Sequence, residues 1–283
     1  MMRGMFAAIS GLKTHQVMLD VTSNDIANVN TIGYKSARTT FKDSLTQLQR
    51  GASGAGGANG GTNAAQVGLG VGLGSIDNLM TGGALQSTGA PLDVAIQGEG
   101  FFAVAQVAVT SPATALPGGT VAQYTRAGNF TQSEDGYLLT QEGFYVLGRT
   151  APGAGNPDTL LRVPPDGTNV AIGQDGSVSY IPAGGGARTI AGYLSLATFA
   201  NQAGLERASG NRWMASANSG VAQASTPGND GKGLTSPGTI EMSNVDLAQS
   251  FTQMITAQRG FQANSRVIST SDEMLQDLVN LKR

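Results

Sequence analysis

His15 is the only histidine in the chain, and there is no cysteine at all. A catalytic triad or a zinc site needs a second imidazole, a thiolate or converging carboxylates. His15, between Thr14 and Gln16 in an amphipathic stretch, has none of these beside it in sequence and is expected to be solvated or to lie between helices. Glu134-Asp135 and Asp272-Glu273 resemble the carboxylate pair of a general acid/base site, but adjacent residues on a turn or a helix do not face one another. Both pairs read as solvated charge. Two glycine-rich stretches suggest a phosphate loop. Counting GxGxxG from Gly70 and Gly72 puts Ser75 at the sixth position, and Gly231-Lys232 is followed by Gly233 where a P-loop has Ser or Thr. Lys13, Lys35, Arg38 and Lys42 are too scattered for a basic groove. No nucleophile, base and orienting group assemble, so the expectation is no catalytic residue, no cofactor and no metal.

With no chemistry to position, the elements themselves carry the information. From Leu247, steps of four and three visit Phe251, Met254, Gln258, Phe261, Ser265, Ile268, Asp272, Leu275 and Val279, with Ile255, Leu278 and Leu281 beside that seam. Within 243–283, a helix from Leu247 to the end is about 55 Å long at 1.5 Å per residue, too long to cover one small core. Asn244 or Asp246 suits its N-cap, Lys282 and Arg283 suit its C-terminus, and Gly260 is a mid-helix cost of about 1 kcal/mol. At the other end, Met5, Ile9, Leu12, Gln16, Leu19, Ser23 and Ile26 follow the same spacing, with Met2, Phe6 and Val29 alongside. The two termini are therefore expected to pair, with Gln16 and Gln258 as polar seam positions that fix register. Arg3, Asp20 and Asp25 oppose the helix macrodipole and are expected to be solvated or met by neighbouring subunits.

Between the termini the pattern changes. Phe41, Leu45 and Leu48 continue a short helical spacing, and Arg50 to Asn63 has the composition of a flexible linker. Val67, Leu69, Val71 and Leu73 alternate with glycines and predict a strand with one bare face. Leu92, Val94 and Ile96 alternate ahead of Phe101–Val104, while Asp135-Gly136 and Asp175-Gly176 mark hairpins. Tyr193, Leu196 and Phe199 are expected core residues, Trp213 is expected to pack in the core or at a domain edge, and 216–238 reads as a return linker. The predicted fold class is α+β: terminal helices in a coiled-coil-like domain around an inserted, mainly antiparallel β domain. Its expected parts are 1–30, the first helix; 31–86, a connector; 87–215, the β domain; 216–240, a return linker; and 241–283, the second helix.

Of 283 residues only 13% are charged, Gly contributes 41, and the net charge is −2. No basic field argues for nucleic acid, and no apolar run approaches the ~18 residues of a membrane span. The start is a poor secretory signal, so export would need another route. So few surface charges suit faces that meet copies of themselves. Assembly is expected through Met5, Ile9, Leu12, Leu19 and Ile26 with Leu247, Phe251, Met254, Phe261, Ile268, Leu275 and Val279. A coiled-coil adaptor or a β-domain enzyme are readings from other classes.

SGLKTHQVMLDVTSNDIANVNTIGYKS (10–36), STGAPLDVAIQGEGFFAV (87–104), TRAGNFTQSEDGYLLTQEGFYVLG (125–148), EMSNVDLAQSF and TAQRGFQANS resemble the bacterial flagellar rod and hook proteins. That resemblance implies a structural subunit, exported through the flagellar apparatus without a cleaved signal and located in the extracellular flagellum. Its helices would line the inner tube of a helical homopolymer. GGTNAAQVGLGVGLGSI (60–76) and EMSNVDL look more like the hook member, with the distal rod member as the alternative. Implied partners are further copies, the distal rod, the hook cap and the hook-filament junction proteins.

Overall fold

A computed structural model describes residues 2–54, 60–107, 122–153 and 158–281. The chain folds as two compact units. One comprises 1–27, 37–79 and 245–283; the other comprises 28–36 and 80–244.

The first unit is built on helices α1 (Met2–Ala27) and α2 (Leu247–Asn280). Asp246 caps α2, its carboxylate accepting from the Ala248 and Gln249 N–H groups at 2.9 and 3.1 Å. Lys282 and Arg283, expected to close that helix, lie outside the described residues. Gly11 faces Asn264 and Gly260 faces His15, so the helices run antiparallel. The pairing of the termini is thus present, but both seams are rotated by one residue from the expected ones. Ala8, Gly11, Thr14, Thr22 and Asp25 of α1, and Ser250, Ala257 and Ser271 of α2, are buried, while Gln16 and Gln258 are exposed. Size explains the rotation, because small residues let two backbones approach closely whereas Phe251 and Phe261 would hold them apart. Three of the buried hydroxyls are satisfied within their own helices: Thr14 donates to the Gly11 carbonyl at 3.0 Å, Thr22 to Met18 at 2.8 Å and Ser271 to Val267 at 2.7 Å. Asp25 is neither solvated nor left to a neighbouring subunit; both carboxylate oxygens accept from the Ala37 N–H at 3.2 Å. Arg3 and Asp20 are exposed.

Strands β1 (Ala37–Asp43), β2 (Thr46–Arg50), β3 (Ala65–Gly68) and β4 (Val71–Asn78) complete this unit. β1 pairs with β4 and β2 with β3, both antiparallel. The Ser44 N–H to Gly70 carbonyl bond (2.9 Å) and the Leu69 N–H to Leu45 carbonyl bond (2.7 Å) join the two ladders into one kinked ribbon. The helical spacing of Phe41, Leu45 and Leu48 therefore belongs to a ribbon, where the paired strand sets the conformation. The expected single strand over 67–73 is broken at Gly70, whose φ of 122° no other residue adopts easily and whose missing Cβ leaves room for Ser10 of α1. Within the expected linker 50–63, Ser53 bridges to Thr62, and 55–59 lie outside the described residues.

The second unit is β. Its main sheet, thirteen strands among the described residues, runs Thr168–Ile172, Ser177–Ile181, Thr189–Leu194, Tyr145–Arg149, Phe101–Ala105, Ala122–Thr125, Arg212–Met214 and Glu206–Arg207, with further strands branching from it. Phe101–Ala105 is buried on both faces. Phe102 and Val104 enter a core with Phe130, Val146 and Leu194, while Phe101, Ala103 and Ala105 enter another with Tyr124, Phe199 and Trp213. Both Asp-Gly hairpins form, with Gly136 at φ 87° and Gly176 at φ 74°. Leu196, Phe199 and Trp213 are core residues as expected; in the strand before them Leu194 is buried while Tyr193 is only half-buried. The stretch expected as a return linker belongs to the β unit instead. Gln223–Ser225 pairs with Leu196–Thr198 and Leu234–Pro237 with Val94–Gln97, and Ser219, Ser225, Thr226 and Thr235 are buried.

Candidate assembly surface and carboxylate clamp

Because small residues occupy the helix–helix contact, large apolar side chains are displaced outwards. Of the expected interaction residues, Ile9, Leu247, Phe251, Phe261 and Val279 are exposed, whereas Met5, Leu12, Leu19, Ile26, Met254, Ile268 and Leu275 are half-buried. Sequence reasoning placed several other residues merely beside the seam, yet they are as open: Met2 and Phe6 are each 61% exposed, Ile255 57% and Leu278 51%. Met2, Phe6 and Ile9 form one row at the start of α1. The antiparallel register puts that row at the end of the pair that also carries Val267, Met274 and Leu278. Contiguous exposed apolar faces mark interaction sites. Each side chain fully buried there would contribute roughly 1.5–3 kcal/mol.

The second feature is a buried charge cluster in the β unit that the sequence did not disclose. Glu241, 1% exposed, accepts from Lys35 Nζ at 2.6 Å, Arg126 Nη1 at 3.2 Å and the Gly83 N–H at 2.9 Å. Its own carbonyl accepts from the Gly33 N–H at 2.8 Å. Lys35 also donates to the Thr81 carbonyl at 2.7 Å, and Arg126 to the Gly98 carbonyl at 3.0 Å. Asn244 continues the arrangement, accepting from the Ser36 N–H at 2.7 Å and donating to Thr81 Oγ1 at 2.9 Å. The chain passes between the two units at 27/28, 36/37, 79/80 and 244/245. One carboxylate therefore gathers, within the β unit, the segments that flank all of these crossings. Burial pushes the Lys35 pKa below its ordinary value, and the Glu241 charge and hydrogen bond oppose that shift only in part.

Segment 28–36 owes its place to further contacts. Gly33, at φ 68°, packs so close to Ala127 that a Cβ would meet its amide nitrogen at 2.6 Å. Arg207 donates to the Tyr34 hydroxyl and to the Lys35 carbonyl, with its guanidinium 4.8 Å from the Tyr34 ring centroid. Asn211 donates to the Ile32 carbonyl at 3.0 Å. The Gly-Tyr-Lys that follows α1 is thus an integral part of the β unit. No local signal marks the pair in sequence, since Lys35 is followed by Ser36 with Arg38, Lys42 and Asp43 close behind, and Glu241 lies far along the chain between Ile240 and Met242.

His15 lies between the helices, against Gly260, and edge-on to Phe41 at 5.7 Å between ring centroids. Among the described residues no three His, Cys, Asp or Glu side chains group as metal ligands do, and no helix is long and apolar enough to cross a membrane.

Comparison with known proteins gives these features a setting. Three family models match: "Flagella basal body rod protein" over 5–35, "Flagellar hook protein FlgE/F/G D1 domain" over 95–180, and "Flagellar basal body rod FlgEFG protein C-terminal" over 236–281. The flagellar basal-body rod protein FlgG of Bacillus subtilis is 46% identical, covering all of both chains. That of Caulobacter vibrioides is 36% identical over 99% of this chain and all of its own. The flagellar hook protein FlgE of Treponema pallidum is 27% identical, again over all of both chains but across a 465-residue alignment. The chain belongs to the flagellar basal-body rod and hook family, whose members are structural components of the flagellum and not enzymes.

Proposed function

We propose that this chain is a rod subunit of the flagellum that self-assembles into a helical tube through the exposed apolar faces of α1 and α2. The carrying observation is that the helices spend small residues on each other and leave Met2, Phe6, Phe251, Ile255, Phe261 and Leu278 open. A head-to-tail contact that does not close on itself makes a filament. The hook reading gives way to its rod alternative because the relatives of matching length carry the rod name, while the hook relative needs a far longer alignment. The two stretches that favoured the hook, 60–76 and EMSNVDL, lie in a β ribbon and at the approach to α2, and neither supplies an added domain. Other basal-body proteins would adjoin the ends of the tube, and export would use the flagellar apparatus without a cleaved signal.

The experiment is electron microscopy of the purified full-length chain driven to polymerise. Straight tubes are expected of a rod subunit. Supercoiled, curved tubes would restore the hook reading, and a closed dimer or trimer would remove both.

A further inference from the structure

We propose that two reciprocal contacts, Asn264 into Gly11 and His15 into Gly260, set the register of the α1–α2 pair and thereby align its exposed apolar rows; only the second clause rests on the assembly reading above. A Cβ on Gly11 would lie 2.6 Å from Asn264 Nδ2 and 3.0 Å from its Cγ. A Cβ on Gly260 would lie 2.5 Å from both Cε1 and Nε2 of His15. Neither glycine has a positive φ, so helical backbone geometry does not call for glycine at either place. Glycine is the poorer helix former there, and what it provides is space for a side chain from the opposite helix. The His15 ring also makes an edge contact to Phe41 in β1.

The spacing makes this a register device and not two isolated notches. On each helix one glycine and one filling side chain stand one turn apart, Gly11 with His15 and Gly260 with Asn264, and the antiparallel direction matches each filler to a glycine. Sliding the pair by one turn one way sets His15 against Asn264. Sliding it the other way sets Gly11 against Gly260 and leaves a void. Both alternatives cost packing. The expected register residues, Gln16 and Gln258, are exposed and cannot do this.

The chain has no cysteine, so an engineered pair reports register cleanly. The Gly11 Cβ position is 3.0 Å from Asn264 Cγ, which leaves the two Cβ positions at most about 4.5 Å apart and within disulfide range. In full-length chain carrying Gly11→Cys and Asn264→Cys, the parent should cross-link readily under mild oxidation. Adding Gly260→Ala should slow cross-linking about tenfold or more, and adding His15→Ala to that variant should restore it to within about twofold. The sign is diagnostic, because helix propensity alone predicts that Gly260→Ala favours the helix. Trp213 fluorescence checks that the β unit stays folded in each variant. Failure of the parent to cross-link, or unchanged or faster cross-linking with Gly260→Ala, overturns the proposal. Polymerisation is scored separately on chains without the cysteines. A chain that cross-links in register but never forms tubes would sink the assembly reading and leave the register device standing.

Discussion

Replacing Glu241 with Gln removes one negative charge from a site where two cations depend on it. Lys35, Glu241 and Arg126 are 1%, 1% and 2% exposed, so water cannot take over the lost interaction. The Gln carbonyl can still accept from Lys35 and the Gly83 N–H, but its amide then faces Arg126 Nη1 as donor against donor. Breaking a buried ion pair by removing one partner costs about 3–5 kcal/mol. At roughly 2–4 °C per kcal/mol for a domain of this size, the melting temperature of the β unit should fall by about 10 °C. The assay is thermal melting followed by Trp213, the only tryptophan, which is buried in that unit. The loss should also depend on pH. Lys35 has a folded-state pKa below its ordinary 10.5, so over that interval the unfolded chain binds more protons and stability rises with pH. Glu241→Gln deletes the two influences that raise the Lys35 pKa, which widens the window downwards and makes the rise steeper than in the parent. A combined Lys35→Met, Arg126→Met, Glu241→Leu variant, with no charge left to strand, should recover most of the loss. A Glu241→Gln chain that melts within about 2 °C of the parent would refute the clamp, as would a deficit that grows with rising pH.

Further outcomes follow from the same geometry. Phe251→Asp and Leu278→Asp should each abolish tube formation by sedimentation while leaving the Trp213 melt within about 2 °C, since both side chains are exposed in the helical unit. Gly128→Ala would drive a Cβ into the Val94 carbonyl and should destabilise the β unit by about 1–3 kcal/mol in urea titration. Asp246→Ala removes the α2 cap and should lower helical ellipticity, at about 1 kcal/mol, without moving the Trp213 transition.

The α+β class, the paired termini, both Asp-Gly hairpins and the Trp213 core were legible because each depends on local pattern or turn chemistry. The inward faces of the helices were misjudged by one residue because periodicity registers hydrophobicity and is blind to size. Gly11, Ala257 and Ser271 carry little apolar signal but permit close approach, which decides the seam. Phe41, Leu45 and Leu48 carried a helical spacing, yet pairing across the ribbon, with Phe41 opposite Leu73, overrode it. The clamp was illegible for a different reason. Lys35 and Glu241 stand 206 positions apart, and nothing in either local stretch names the other. Similarly, Ser216 to Gly238 has linker composition, but two of its buried threonines bond to backbone brought near by the fold, Thr226 accepting from the Gly153 N–H at 3.0 Å and Thr235 donating to the Gly173 carbonyl at 2.8 Å.

The chain's lack of cysteine allows the central claim to be tested at a single thiol. With Leu278→Cys, a maleimide should react quickly with dispersed chains and at least about tenfold more slowly once they have polymerised, because neighbouring copies then cover the helix face. Equal reactivity in the two states, with tubes visible in the same sample, would show that the copies are joined elsewhere.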